Sequence, residues 1–355
     1  MPETWITVEE AERLAAERLE PGVLGYFAGG AGDEETLREN REAWRRWRLV
    51  PRVLTDTSEV TTRCELLGGP VAAPILVAPT AFHRLLHPDG ELATARAAAA
   101  AGTVFCHSTL ATIAPPEVAA GAPPGRRWCQ LYCFEDEGVT RALWEHALAE
   151  GYEAIVLTVD APPAGNRERD LHTGFVVPAE LRVPSLDAAC GPGREYTLKE
   201  TFDLMDRSLE WDDFGDLVAE AGVPVLVKGI VAADDAALAV EHGAAAVVVS
   251  NHGGRQLDRS LATAEALSAV VDAVDGRVPV LVDGGIRRGV DVALALALGA
   301  EAVLVGRPAL WGLTLAGEEG VRRVLELLGA ELALALALCG VTAPGELTRA
   351  HARRG

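Results

Sequence analysis

A histidine and an arginine three residues apart lie on a glycine-rich stretch, Ser250-Asn251-His252-Gly253-Gly254-Arg255. An imidazole exchanges a proton near neutral pH, and a guanidinium grips a carboxylate through two parallel N–H donors. Together they suit a proton acceptor beside a carboxylate clamp. Lys228 closes the apolar run Val223-Pro224-Val225-Leu226-Val227, and Asp160 closes Ala154–Val159. A lysine so placed is either a snorkelling surface residue or a fixed cation on an inner lip next to an anion. Asp160 either caps its loop or holds His252 in one tautomer and raises its basicity. Cys129-x3-Cys133 has no second pair, and His252 has no partner at ligand spacing, so no metal site is read.

Two further stretches, Gly284-Gly285-Ile286-Arg287 and Gly306-Arg307, combine glycine with arginine. Each alone looks like a turn with a solvated cation. As a pair at the ends of successive strands they favour a phosphate, because glycine lets backbone N–H groups approach it and helix N-termini point positive towards it. The phosphate is expected to be a cofactor's, since no Gly-x4-Gly-Lys-Ser/Thr motif is present.

These residues need elements to hold them. From about Pro74, short apolar runs alternate with helical patterns: Ile75–Ala78, Thr103–Cys106, Trp128–Leu131, Ala154–Val159, Pro224–Val227, Ala245–Val249, Val278–Val282 and Ala302–Val305. Several lack polar alternation, as parallel strands buried on both faces do. Helical patterns cover Asp89–Ala101, Gly138–Glu150, Ala232–His242, Thr263–Asp275 and Gly289–Leu298. Eight such units fit a (β/α)8 TIM barrel, with an open doubly wound sheet as the alternative. What favours the barrel is that every run ends in a polar or Gly-rich cluster, at the end where barrel chemistry sits.

The expected organisation is one domain over residues 1–355. A helical N-terminal segment covers 1–50, with a capping box at Thr7-Val8-Glu9-Glu10 and Asp33 capping a second helix through about Trp44. The barrel covers 70–315, a long lid loop after strand four covers 161–212, and C-terminal helices cover 316–355.

Lys plus Arg number 32 against 52 Asp plus Glu, a formal charge of −20. That balance argues against nucleic acid or an anionic membrane as a partner. An anionic ligand would need positive charge concentrated locally. No signal peptide, apolar span or peroxisomal tripeptide is read, so a soluble cytoplasmic protein with reduced thiols is expected.

The sequence resembles the FMN-dependent 2-hydroxy acid oxidase and dehydrogenase family, which includes glycolate oxidase, lactate oxidase and mandelate dehydrogenase. The resemblance is carried by Ser250 to Asp258, Val227-Lys228-Gly229, Leu157-Thr158-Val159-Asp160, Gln130-Leu131-Tyr132 and Ala78-Pro79-Thr80-Ala81. Asp283 to Gly289, Gly306-Arg307-Pro308 and Tyr26 to Ala31 complete it, in order, from about residue 7 to residue 352. It implies FMN at the barrel mouth. Pro79, Thr80 and Ala81 would lie against the isoalloxazine, while Ser108, Gln130 and Thr158 bond its polar edge. Lys228 would face the side that turns negative on reduction, Asp283 the ribityl chain, and Gly284, Gly285, Arg287, Gly306 and Arg307 the phosphate. Ser250 joins the cofactor contacts. His252 is implied as the base, Asp160 as its partner, and Arg255 with Tyr26 as the carboxylate grip. Tyr132 is implied at the substrate oxygen, and Arg167 as a second cation.

The implied reaction is oxidation of an L-2-hydroxy acid to the 2-oxo acid, with flavin reoxidised by O2 to give H2O2. Ala81 leans towards the oxidase over a dehydrogenase with a quinone or carrier acceptor, and a lactate oxidase is the other alternative. A catalytically inactive binding protein would need none of Lys228, His252, Arg255, Tyr132 and Asp160. Leu110 stands where glycolate oxidases carry Trp, so medium aliphatic or aryl substrates are expected over glycolate. Asn166 replaces a common Arg before Arg167. Neither a membrane-anchoring insertion nor a haem domain is read, and a homo-oligomer, tetramer or larger, is expected by analogy.

Overall fold

Eight short strands close into a barrel in which every neighbouring pair is parallel. They are β1 (Ile75–Val77), β2 (Phe105–His107), β3 (Arg127–Leu131), β4 (Ala154–Thr158), β5 (Val225–Ile230), β6 (Ala246–Val249), β7 (Val280–Val282) and β8 (Ala302–Val305). The computed structural model describes residues 5–161, 163–193 and 195–355. Each strand falls within a few residues of an apolar run in the sequence. The expected barrel is therefore present, and the open sheet is not.

Side chains of a strand alternate between its two faces. One apolar residue from each strand fills the interior: Leu76, Cys106, Trp128, Val156, Leu226, Val248, Leu281 and Leu304. Their neighbours, such as Val77, Phe105, Leu157, Val227, Val249 and Val282, face outward into the larger core beneath the helices. Burial on both faces explains why the runs show no polar alternation. Below, the antiparallel pair Cys64–Leu66 and Gly69–Val71 closes the barrel, with Leu66 and Val71 packed into its interior.

Stepping two residues past each interior residue leads towards the opposite mouth. The residues met are Ala78, Ser108, Gln130, Thr158, Lys228, Ser250, Asp283 and Gly306. The parity that seals the apolar interior thus also aims a ring of mostly polar groups at the mouth.

The expected helices are present as Gly90–Ala100, Glu137–Ala149, Ala233–Glu241, Thr263–Val274 and Gly289–Ala297. The N-terminal segment departs from its sequence pattern. It forms helices Val8–Ala16, Pro21–Ala28 and Glu35–Arg45, so Tyr26 and Phe27 are helical. Thr7 accepts the Glu10 N–H at 3.1 Å, but Glu10 accepts from Ile6 rather than Thr7, leaving half a capping box. Asp33 caps nothing: Glu34, at a left-handed φ of 60°, occupies the cap position, and its carboxylate takes the Gly30 N–H at 2.9 Å. The last helix, Arg307–Cys339, breaks at Ala316 and Gly317. The chain then ends in short 3-10 turns and a strand, Ala352–Arg354, paired with Trp47–Leu49. The segment between β4 and β5 holds short helices Glu168–Thr173, Pro184–Cys190 and Leu198–Asp203 before Trp211–Ala221 packs on the barrel. No helix among the described residues is long and apolar enough to cross a membrane.

Candidate active site

The ring of inward-facing groups opens into a cavity with about 1010 Å³ of empty space, its open mouth included. Pro79, Thr80, Ala81, Ser108, Gln130, Thr158 and Lys228 line its inner part. Asp283, Gly284, Gly285, Arg287, Gly306 and Arg307 line one end, and Tyr26, Leu110, Tyr132, Arg167, His252 and Arg255 another. Asp160 and Ser250, also expected at the site, stand behind this wall and act through its members.

A chain of polar contacts links them. Lys228 Nζ lies 3.3 Å from Asp283 Oδ2 and donates to Ser250 Oγ at 3.0 Å. Ser250 Oγ also accepts the His252 backbone N–H at 3.1 Å. His252 Nδ1 meets Asp160 Oδ1 at 2.8 Å, and its Nε2 meets the Tyr132 hydroxyl at 3.3 Å. Burial lowers the His252 pKa below the ordinary imidazole range, with Asp160 pulling it only partly back. The ring is therefore neutral at pH 7, and its hydrogen sits on Nδ1, the side facing the carboxylate. Nε2 then offers a lone pair to the cavity. Burial opposes the Asp160 carboxylate, but the His252 contact and the Lys228 cation hold it below its usual range. Burial likewise opposes the Lys228 cation, and Asp283 with Asp160 raises it above its usual value. Tyr132 is pushed up, chiefly by burial, and stays protonated.

Cations crowd the same mouth. Arg255 lies 4.7 Å above the Tyr26 ring and donates through Nη1 to the carbonyls of Tyr26 and Gly29, leaving Nε and Nη2 for a ligand. Arg167 donates to the Arg255 carbonyl and to Gln256 Oε1, both at 3.3 Å. Burial, then Arg255, brings its pKa down to about 10, so it too stays charged. Arg307 is pressed down by burial, then by Arg255 and Arg287. Its donors reach Phe27 O (2.9 Å), Gly253 O (2.9 Å) and Gly29 O (2.7 Å). Of its five N–H groups this leaves one on each terminal nitrogen, so Arg307 is as much a strut as an anion ligand. Arg287, lowered by burial, has Glu12 Oε2 3.6 Å from Nε. The site is thus locally cationic within an anionic chain.

Buried polar atoms are normally paired, so those left over mark where a ligand belongs. Gln130 Nε2, Thr158 Oγ1 and Asp283 Oδ1 are buried without a hydrogen-bond partner, and all three residues line the cavity; Arg287 lines it too, but its Nε faces Glu12. Gly284 and Gly285 turn beside them at φ 92° and 80°, where a side chain is strained.

Two contributors, Phe202 and Asn40, are absent from the residues expected on sequence. Phe202, from the segment after β4, lines the cavity and meets the Tyr132 ring edge-on at 5.9 Å. Arg167 stacks over it at 5.5 Å. Asn40 exchanges two 2.8 Å hydrogen bonds with Asn251, beside His252. Phe202 is aromatic in a polar stretch, which hints at a site; nothing marks Asn40.

Comparison with known proteins gives a consistent result. Residues 15–354 match the model of the family described as FMN-dependent dehydrogenase. The chain is 48% identical over 344 residues to the L-lactate oxidase of Nostoc sp. (strain PCC 7120 / SAG 25.82 / UTEX 2576), covering 94% of each. It is 45% identical over 349 residues to glycolate oxidase 3 of Arabidopsis thaliana, covering 97% of this chain and 95% of that one. Among solved structures, mandelate oxidase with (S)-4-hydroxymandelic acid superposes with a TM-score of 0.93 at 42% identity, covering 99% of each chain.

Proposed function

This chain belongs to the FMN-dependent dehydrogenase family, and from that premise we propose that it oxidises an L-2-hydroxy acid to the 2-oxo acid and returns the electrons to O2 as H2O2. The observation that carries the reading is a neutral His252, backed by Asp160 and opening on a mouth lined by Arg255 and Arg167. The unpaired atoms and Arg287 fit FMN by their chemistry. Gln130 Nε2 and Thr158 Oγ1 suit a heteroaromatic edge, Asp283 Oδ1 a polyol hydroxyl, and Arg287 with the Gly284-Gly285 turn a phosphate. Bound FMN supplies a two-electron acceptor.

The rest is the work of side chains. Arg255 takes the substrate carboxylate through Nε and Nη2, with Arg167 as a second cation and Tyr26 beneath the guanidinium. Fixing the carboxylate brings the α-carbon and its hydroxyl to His252 Nε2, replacing a chance encounter by a held one. His252 accepts one proton. The imidazolium so formed is stabilised by Asp160, whose carboxylate already faces Nδ1. Tyr132 donates to the substrate oxygen as it becomes a carbonyl. Lys228 holds a fixed positive charge where negative charge accumulates, without reorganising.

Leu110 and Phe202 border the space left for the substrate side chain. Both are apolar, and Leu110 is smaller than Trp, which favours medium aliphatic or aryl acids over glycolate. Ala81 lines the cavity, and the similarity to lactate, glycolate and mandelate oxidases supports O2 as acceptor. We also propose a homo-oligomer, by analogy.

The test is optical. Purified protein is expected to be yellow and to bleach under nitrogen with (S)-mandelate or (S)-2-hydroxyisocaproate faster than with glycolate. Admitting air should restore the colour and release one H2O2 per turnover. Failure to bleach with any 2-hydroxy acid refutes the reaction, and bleaching without rapid recolouring replaces O2 by another acceptor.

A further inference from the structure

His83 has no part in the chemistry above, yet it is only 1% exposed and stands directly behind the cavity wall. Its ring lies between two hydroxyls. Nε2 is 2.6 Å from Thr80 Oγ1, and Nδ1 is 3.0 Å from Thr94 Oγ1. Thr80 lines the cavity, whereas Thr94 is buried in helix Gly90–Ala100. The backbone is anchored separately. The His83 N–H donates to Glu91 Oε1 at 3.1 Å, and that buried carboxylate also takes the Thr112 N–H at 2.9 Å and its hydroxyl at 2.5 Å. Burial holds the imidazole below its ordinary range, outweighing Glu91 and a contact of the ring with the Thr80 backbone, so the ring is neutral with one N–H.

A neutral imidazole between two hydroxyls has two consistent hydrogen arrangements. In the first, Nδ1–H donates to Thr94 and Thr80 donates to Nε2, so Thr80 shows only lone pairs to the cavity. In the second, Thr94 donates to Nδ1 and Nε2–H donates to Thr80, so the Thr80 O–H is free to donate into the cavity. No heavy atom moves between them. A flavin ring nitrogen that gains hydrogen on reduction changes its needs in the same sense: it accepts a hydrogen bond when oxidised and donates one when reduced.

We propose that His83 is a positioning residue that satisfies the Thr80 hydroxyl in both roles, so that Thr80 bonds the flavin in both redox states. The proposal rests on the reading that this cavity holds FMN. Without the imidazole, Thr80 can still donate to oxidised flavin, losing only a partner for a lone pair. Against reduced flavin it must accept, and its own O–H is then buried without an acceptor, the costlier loss. Removing the ring therefore weakens reduced FMN more than oxidised FMN.

The experiment measures the FMN midpoint potential of the holoprotein, together with apoprotein affinity for oxidised FMN. His83→Phe should weaken reduced relative to oxidised FMN by about tenfold, a fall of ~30 mV for a two-electron couple. His83→Gln, which presents a donor or an acceptor by turning its amide, should restore the wild-type value. On a Thr80→Val background, His83→Phe should leave the potential unchanged, because no hydroxyl remains to be orphaned; a general packing defect would shift it regardless. An equal shift with and without Thr80, or none in either, overturns the proposal. Should His83→Phe not fold, ¹⁵N spectra of the wild-type ring decide: hydrogen on Nε2 in the oxidised protein and on Nδ1 in the reduced supports it, and one tautomer throughout overturns it. A wild-type protein that takes up no FMN overturns both this proposal and the cavity assignment; one that binds FMN with unshifted potentials overturns only this one.

Discussion

The loop after β6 and the segment after β4 both reach the cavity, but they are held differently. The β6 loop carries His252 and Arg255 and leans on the N-terminal segment over its whole length. Ala31 N–H donates to Gly254 O at 2.9 Å, Asn40 pairs with Asn251, and Thr36 N–H donates to Asp258 Oδ1 at 2.8 Å. His252, Gly253 and Gly254 all have positive φ. A Cβ at Gly254 would come within 2.6 Å of Leu37 N, so loop and buttress touch backbone to backbone. The β4 segment contributes Arg167 and Phe202, one through two 3.3 Å hydrogen bonds and the other through ring packing. Its first residues, up to Arg167, are tied to the β6 loop and the N-terminal segment, since Gln256 Nε2 donates to Asp160 O at 2.8 Å and Pro163 O at 2.9 Å and the Gly32 N–H to Asn166 O at 2.8 Å; further on, towards Phe202, much of the bonding is internal or peripheral, as in the Val177–Tyr196 bridge. Proton transfer tolerates displacements of tenths of an ångström, so its residues sit on the buttressed loop. Side-chain size is read by apolar contact, which tolerates more, and a loosely tied wall suffices.

That contrast can be broken in order of expected effect. His252→Ala should retain FMN, since His252 holds no cofactor group, while flavin reduction in anaerobic stopped flow falls by at least ~10²-fold. Reduction near the wild-type rate would remove His252 as the base. Asn40→Ala touches neither ligand, yet it leaves the Asn251 amide short of partners at a cost of about 1–3 kcal/mol in denaturant unfolding. It should lower kcat by a similar factor for every substrate. A substrate-dependent change would mean that the buttress shapes the pocket rather than the base.

The apolar wall, Phe202 from the β4 segment with Leu110 from the loop after β2, should respond in the opposite way. Phe202→Ala and Leu110→Trp should leave the kcat of the best substrate largely intact while changing the mandelate-to-glycolate ratio of kcat/KM by about 1–3 kcal/mol. Phe202→Ala should favour larger acids and Leu110→Trp glycolate; an unchanged ratio in both would mean that neither sets the pocket. The smallest effect is on pH. His252 works as the neutral base, and its folded pKa lies below 6.5, mainly through burial. Activity should therefore hold as pH falls through 6.5 and decline only below it, with the midpoint read from kcat/KM of the free enzyme. An acid limb at or above 6.5 would show that the imidazole is not desolvated as described.

The barrel and the ring at its mouth were legible in the chain because both obey local rules. Eight apolar runs of strand length, separated by helical patterns, have few packings. Once Leu226 or Val156 faces inward, strand parity places Lys228 and Thr158 inward as well, with no knowledge of their neighbours. Tertiary structure alone decided what lies across the chain. Asn40 meets Asn251 over a separation of 211 residues, and no periodicity announces such a pair. Arg307 looks like a phosphate ligand from its motif, yet most of its reach goes to the carbonyls of Phe27, Gly29 and Gly253. Asp33 looks like a cap, but Glu34 occupies that position and gives its carboxylate to the Gly30 N–H outside the helix, so neither side chain caps it. The neutrality of His252 is likewise tertiary, since desolvation depends on every atom packed around the ring and not on the residues beside it in sequence.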